Sequence, residues 1–245
     1  MAQPYLSIII PAYNEAKRLP ATLIDIEQRL RQAEFSYEIL VVNDGSVDGT
    51  AEIVRKMCAQ IPCLRLVDNA ENRGKGAVVR QGMLLASGAI RLFTDADNST
   101  SIDHFTQMIP LLKAGYGVVI CSRVIDGSVL DPPQPWYRQL LGKLGNRVIQ
   151  VLLLPGIGDT QCGFKAFTED AARRTFSLCE VRGWGFDAEV LRLAKALGYR
   201  IGQVPVHWRA QGGSKVGSSA YLQVLLDSVR VRWRLSVKHY KIAPD

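Results

Sequence analysis

The sequence predicts an α/β domain built on a mainly parallel central sheet. Three observations lead there: short apolar runs alternate with helical patterns, the runs end in polar turns, and each connection can hold a helix. A strand of such a sheet is buried on both faces, so it reads as a continuous apolar run, and its crossovers are right-handed.

The elements follow in order. Tyr5 to Ile10 is the first strand, ending in Pro11-Ala12-Tyr13-Asn14-Glu15, and Leu19, Leu23, Ile26 and Leu30 mark the helix behind it. Tyr37 to Val42 is the second, ending in Asn43-Asp44-Gly45-Ser46-Val47-Asp48-Gly49-Thr50, whose side chains bond their own backbone in turns; a helix runs on to about Gln60. A third strand near Leu64 to Asp68 precedes Asn72-Arg73-Gly74-Lys75-Gly76, which opens a helix through Val79 to Ala86. Ala89 to Thr94 is the fourth, stopped by Asp95-Ala96-Asp97. After a helix at Ile102 to Leu112, Gly117 to Cys121 is a strand ending in Ser122-Arg123. Val124 to Pro135 has no periodic pattern and predicts a loop over the site. Trp136 to Leu154 reads as a basic, apolar helix carrying Arg138, Lys143 and Arg147, suited either to anionic lipid or to packing on the sheet with a solvated basic face. Gly183-Trp184-Gly185-Phe186-Asp187-Ala188-Glu189 opens a helix to Ala196, and Ile201 to Trp208 is the last strand. Tyr221 to Tyr240 is an amphipathic helix with Arg230, Arg232, Arg234 and Lys238, which either packs on the domain or lies on a membrane surface. The expected organisation is one domain over 1–216, with a nucleotide-binding half at about 1–115 and an acceptor half at about 116–216, then a helical extension over 217–245.

Composition narrows the partners. The chain of 245 residues carries a net charge of +7, which favours a polyanion: nucleic acid, anionic lipid or a phosphorylated substrate. Nucleic acid is disfavoured, because no aromatic platform or recognition motif accompanies the charge. Cys58, Cys63, Cys121, Cys162 and Cys179 are odd in number without a Cys-x-x-Cys pair, so they predict reduced thiols in a cytosolic protein and no zinc site. His104, His207 and His239 stand far apart. No apolar run approaches the roughly 20 residues that span a bilayer. The expectation is a protein of the cytoplasm, peripheral on the cytoplasmic face of a membrane.

Chemistry gathers where the strands end, since ligands of an open α/β sheet bind at the carboxyl edge. Glu15, Asp44, Lys75, Asp95 and Asp97 are all expected there. Asp95 and Asp97 offer hard oxygen donors to Mg²⁺ or Mn²⁺, or else cap the next helix. Asp44 suits a base N–H, and Lys75 suits a phosphate or the stability of the fold. Gly74-Lys75-Gly76 is not a Walker A loop, and no Gly-x-Gly-x-x-Gly follows the first strand.

These motifs, in this order and spacing, resemble the family 2 inverting glycosyltransferases of GT-A fold, a Rossmann-like nucleotide-sugar domain. Asp159-Thr160-Gln161-Cys162-Gly163-Phe164-Lys165 and Gly-Trp-x-Phe-Asp-x-Glu are most similar to the dolichyl-phosphate β-glucosyltransferases, with the dolichyl-phosphate mannose synthases next. The resemblance implies that Asp95 and Asp97 hold the metal bridging the donor diphosphate, and that Asp44 meets the nucleobase. Pro11, Tyr13, Glu15, Lys75, Ala96, Arg209 and Lys215 join the nucleotide-sugar site by the same resemblance. Arg123 matches the arginine that meets the acceptor phosphate, with Arg138 beside it. Asp159, Gln161, Trp184 and Asp187 shape the sugar pocket. The implied catalytic set is Asp95, Asp97 and Arg123, and the implied reaction is metal-dependent transfer of glucose from UDP-glucose to a polyprenyl phosphate. GDP-mannose as donor is the alternative, and a nucleotide-sugar-binding scaffold is the reading outside enzymes. Two departures stand out: Asn43 occupies a position where the motif often has Asp, and Ser99 one where mannose synthases often have Gln.

Overall fold

The computed structural model describes residues 3–132, 145–211 and 218–242. Arg138 and Lys215, with most of the basic stretch before residue 145, lie outside these described residues. A seven-stranded sheet has the order β3-β2-β1-β4-β7-β5-β8. Its strands are β1 (Leu6–Ala12), β2 (Tyr37–Asp44), β3 (Leu64–Asn69), β4 (Ile90–Thr94), β5 (Val118–Ser122), β7 (Phe164–Thr168) and β8 (Ile201–Pro205). All neighbours run parallel except β7, which lies antiparallel between β4 and β5. A two-stranded parallel ribbon pairs β6 (Val129–Asp131) with β9 (His207–Arg209).

Helices cover both faces, as a doubly buried sheet demands. One core joins Leu6, Ile8 and Ile10 of β1 to Leu19, Leu23 and Ile26 of α1 (Leu19–Leu30), Val54 of α2 (Thr50–Cys58) and Phe105 and Met108 of α4 (His104–Lys113). The opposite core takes Ile9 of β1 and Phe93 of β4 to Val78 and Met83 of α3 (Lys75–Leu85), Phe176 of α6 (Glu169–Leu178) and Val190 of α7 (Phe186–Ala196). A helical segment, α5, is described over 145–152. The last helix, α8 (Ser218–Ser236), sets Val224, Val231 and Leu235 against this second core. Within it Glu189 of α7 is fully buried; it accepts from the Val181 N–H at 2.9 Å and from the Tyr240 hydroxyl at 2.6 Å. Burial raises the Glu189 carboxyl above its ordinary range, and those donors oppose the shift.

Two features differ from the sequence reading. The stretch Val124 to Pro135 is not wholly irregular, because β6 forms there by pairing with β9, and the strand expected over Ile201 to Trp208 divides after Pro205, with β9 joining that ribbon. The central strand β7 carries a lysine at its second position, which hides it from a search for apolar runs. Among the described residues no helix is long and apolar enough to cross a membrane, and all five cysteines are free.

The clasp between Glu189 and the chain end should be measurable. Tyr240→Phe is expected to lower the free energy of unfolding by about 1.5–3 kcal/mol in urea, the range for a hydrogen bond to a charged group, with an unchanged far-UV spectrum.

Candidate active site

The carboxyl ends of β1, β2 and β4 bring their turns together beside the start of α3. Asp95 follows β4 directly, and its Oδ1 accepts from Lys75 Nζ at 2.6 Å. Burial works against the Lys75 charge, but Asp95, Asp187 and Asp97 outweigh it and hold the ammonium above its usual range. Lys75 also lies 5.1 Å from the centre of the Trp184 ring. Asp97 accepts from the Ser99 N–H at 3.0 Å, and its other oxygen is 3.8 Å from Arg18, which pairs with Glu15 at 2.6 Å. Ala96 is buried, and its carbonyl accepts from Thr22 Oγ1 at 2.8 Å, which fastens the turn to α1.

Exposure separates the carboxylates by role. The side chains of Asp95 and Asp97 are 36 % and 25 % exposed. Asp159 and Asp187 are 0 % and 4 %. Only the first two can offer oxygens to a ligand without rearrangement. They are hard donors at a strand terminus, as Mg²⁺ or Mn²⁺ prefers, and such ions take one or two carboxylates and complete their shell with substrate phosphate and water. Among the described residues no group of three His, Cys, Asp or Glu side chains could hold a metal alone. The pair therefore fits an ion shared with a diphosphate. Gly163 leaves room for the Asp95 carboxylate: a Cβ there would stand 1.9 Å from Asp95 Oδ2.

Asp44 is buried, accepting from the Arg73 and Gly74 N–H groups at 2.6 and 3.1 Å. Its visible work is to hold the loop that opens α3. Gly74 has φ +94°, and a Cβ there would meet the Arg182 carbonyl at 2.5 Å, so no other residue suits this turn. Pro11 is buried within β1, while Tyr13 is exposed in the turn beyond it.

On the far side of β4, Arg123 follows β5 and grips Asp159 with Nε and Nη2 at 2.7 and 2.9 Å. Its backbone N–H donates to the same carboxylate at 3.0 Å, as does that of Gln161 at 3.1 Å. Burial would raise the Asp159 carboxyl, but the Arg123 charge and these donors bring it down to about 2. Arg123 stays 22 % exposed, 5.8 Å from the centre of the Trp208 ring. Arg209 joins this edge through its N–H, which donates to the Ser99 carbonyl at 2.8 Å. Asp187 is sealed beneath the surface by Lys165, which also donates to the Cys162 carbonyl at 2.6 Å. Burial raises the Asp187 carboxyl, and the two lysines limit that shift. Asp159 and Asp187 thus turn inward, so any part they take in shaping the sugar pocket runs through Arg123 and Lys165. Trp184 and Gln161 remain partly exposed.

Three contributors escaped the sequence reading. Arg18 stands three residues after Glu15, a spacing that could have exposed the pair. Lys165 lies inside a quoted motif, yet nothing local marks it as buried. Trp208 joins the site through the β6–β9 ribbon and a bridge to Thr100.

The fold and this crevice define a GT-A nucleotide-sugar domain. The profile of glycosyl transferase family 2 matches residues 7–176, and the chain belongs to that family of enzymes. The dolichyl-phosphate β-glucosyltransferase of Dictyostelium discoideum is 38% identical, aligned over 97% of this chain and 77% of its own. The enzyme of that name from Homo sapiens is 34% identical over 94% and 75%. Among solved structures, glucosyl-3-phosphoglycerate synthase from Mycobacterium tuberculosis in complex with UDP has TM-score 0.65 at 20% identity, covering 94% of this chain and 80% of that one. The mannosyltransferase PcManGT from Pyrobaculum calidifontis, in complex with GDP-Man and Mn²⁺, has TM-score 0.62 at 20% identity, over 97% and 65%.

Two outcomes follow from the geometry. Gly163→Ala is expected to push the Asp95 carboxylate aside and reduce glycosyl transfer by about a hundredfold, the order for a misplacement near 1 Å, while circular dichroism stays native. Asp159 lies lower in the fold than the roughly 3.9 of an unfolded aspartate, so its pairing stabilises above about pH 4 and fades as pH falls through about 2. Asp159→Asn should therefore lower neutral-pH stability by about 2–3 kcal/mol and flatten the acid limb of the unfolding curve.

Proposed function

We propose that the chain transfers glucose from UDP-glucose to a polyprenyl phosphate, dolichyl or undecaprenyl, with inversion to lipid-phosphate-linked β-glucose. The observation that carries this reading is the pairing of two crevice-facing carboxylates after β4 with a guanidinium after β5, in a chain whose near-full-length relatives are named for that lipid acceptor and that sugar.

A phosphate monoester has a second pKa of about 6, so it meets the sugar largely as a dianion and needs no general base. The site matches that demand. Asp187, the carboxylate nearest Trp184 in sequence, is pinned by Lys165 and stands as a support for the pocket rather than a proton acceptor. Arg123, set by Asp159, presents its exposed side to the acceptor phosphate, aided by Arg138. On the donor side, Asp95 and Asp97 would hold Mg²⁺ or Mn²⁺, which supplies Lewis-acid stabilisation of the departing diphosphate. Lys75, Arg209 and Lys215 add positive charge along the same diphosphate, and Pro11, Tyr13, Glu15 and Asp44 form or brace the nucleoside end. Trp184 and Gln161 line the sugar. The enzyme works in this reading as a peripheral protein on the cytoplasmic face of a membrane, where its lipid substrate resides.

Transfer of radiolabelled sugar into an organic-soluble product tests the proposal. With polyprenyl phosphate and Mg²⁺ or Mn²⁺, labelling is expected from UDP-glucose and not from GDP-mannose, and a chelator should abolish it. Asp97→Asn and Arg123→Ala should each lower turnover by at least about a hundredfold while the fold persists. Labelling from GDP-mannose alone would reassign the donor, and absence of transfer by folded protein would leave a binding scaffold.

A further inference from the structure

Helix α8 has two apolar faces, and the domain covers one of them. Leu222, Leu226, Val229, Trp233 and Val237 recur every three or four residues on the other, each 49–63 % exposed. Such a stripe on a protein surface marks a contact with something apolar. Arg230 and Arg232 flank it on either side, and Val151 of α5 is exposed as well.

Beside the stripe, α5, α7 and α8 enclose a cleft of about 280 Å³ lined by Val151, Pro155, Arg192, Lys195 and Arg232. Three cations meet here, and among the described residues none has a carboxylate within ion-pair distance, in contrast to Arg230 and Arg234 on the same helix. Burial, and then the neighbouring Arg232, hold the Arg192 guanidinium below its ordinary value. Like charges share one cavity, and an anion would relieve both the repulsion and the lost hydration. The same lining sets these cations beside apolar Val151, Leu152, Leu153 and Pro155. A second copy of the chain is a poor occupant, because a twofold contact through this face would oppose Arg230 and Arg232 to themselves. A lipid surface supplies both complements at once.

We infer that the cleft between α5, α7 and α8 is a binding site for the phosphodiester headgroup of an anionic phospholipid, engaged by Arg192, Lys195 and Arg232 while the α8 stripe enters the interface. The site is separate from the crevice that takes the donor. It shares with the proposed function only the premise of a membrane-borne acceptor.

Sedimentation of the full chain with vesicles tests this without donor or polyprenyl phosphate, so the two readings fail independently. Binding is expected to phosphatidylcholine vesicles containing phosphatidylglycerol, and to be weak on phosphatidylcholine alone. Arg192→Gln with Arg232→Gln should weaken the anionic binding by about 25-fold, at roughly fivefold per charge near a surface, with thermal midpoint unchanged. A control that removes the same net charge elsewhere, Arg31→Gln with Lys113→Gln, should change it less than about threefold. Trp233→Gln with Leu226→Gln should abolish binding to both vesicles. Equal loss in the control, or equal binding to neutral and anionic vesicles, would overturn the inference. So would a stable dimer in light scattering that Trp233→Gln dissolves. Competition by soluble glycerol phosphate at the concentration of the lipid headgroups would likewise overturn it, by showing a site for free anions.

Discussion

Everything at the carboxyl edge of the sheet depends on keeping negative charge compensated where water is scarce. Asp95, Asp159 and Asp187 crowd around one end of β4, β5 and β7, and each has its own cation: Lys75, Arg123 and Lys165. Lys165 and Asp187 are both buried, so removing either would strand the other at a cost of about 3–5 kcal/mol. The antiparallel β7 is central to this arrangement. It delivers Lys165 beneath Asp187 and, one residue before it starts, Gly163 against Asp95. A parallel strand in the same slot would present the opposite end of this segment to the crevice.

That compensation has a chemical consequence. Reaction between a nucleoside diphosphate sugar and a phosphate brings two anionic groups together, and the main barrier set by the protein is electrostatic. Fixed dipoles and charges do this without reorganising at the moment of reaction. Asp159 serves through Arg123: with a carboxyl near 2, it stays ionised at any working pH and holds the guanidinium charged and oriented. Asp95 and Asp97 are less buried and open to the crevice. The gradient of exposure from Asp159 to Asp95 thus separates a carboxylate committed to internal pairing from one open to the crevice.

The first half of the chain was legible in the sequence because its strands are buried on both faces and end in turns of Asp, Asn and Gly. β1, β2, β3 and β4 all lie within a few residues of the apolar runs that announced them. The second half was less so, for a physical reason: its order depends on partners distant in the chain. Phe164-Lys165-Ala166-Phe167-Thr168 interrupts an apolar pattern with a lysine whose charge is met by Asp187, 22 residues away. The β6 strand, with two exposed residues in three, exists through its pairing with β9. Asp159 and Asp187 were noticed for their motifs, but whether a carboxylate faces inward or outward is a property of the fold.

Helix α7 connects the two ends of the molecule's chemistry. Its first turn carries Asp187, locked under Lys165, and five residues later Arg192 reaches the basic cleft, about 7–8 Å further along the axis at 1.5 Å per residue. Between them Glu189 accepts from the Glu180 and Val181 N–H groups and from Tyr240, which fastens the last helix to the same rod. Interior packing is too dense to let one end of such a helix shift freely against the other. A surface formed by α7 and α8 is therefore held in fixed relation to the pocket that Asp187 supports. For an enzyme whose acceptor is anchored in lipid, this rigidity would set the height and tilt of the crevice above the interface. A flexible tether could hold the protein near the membrane, but it could not choose which face the acceptor meets.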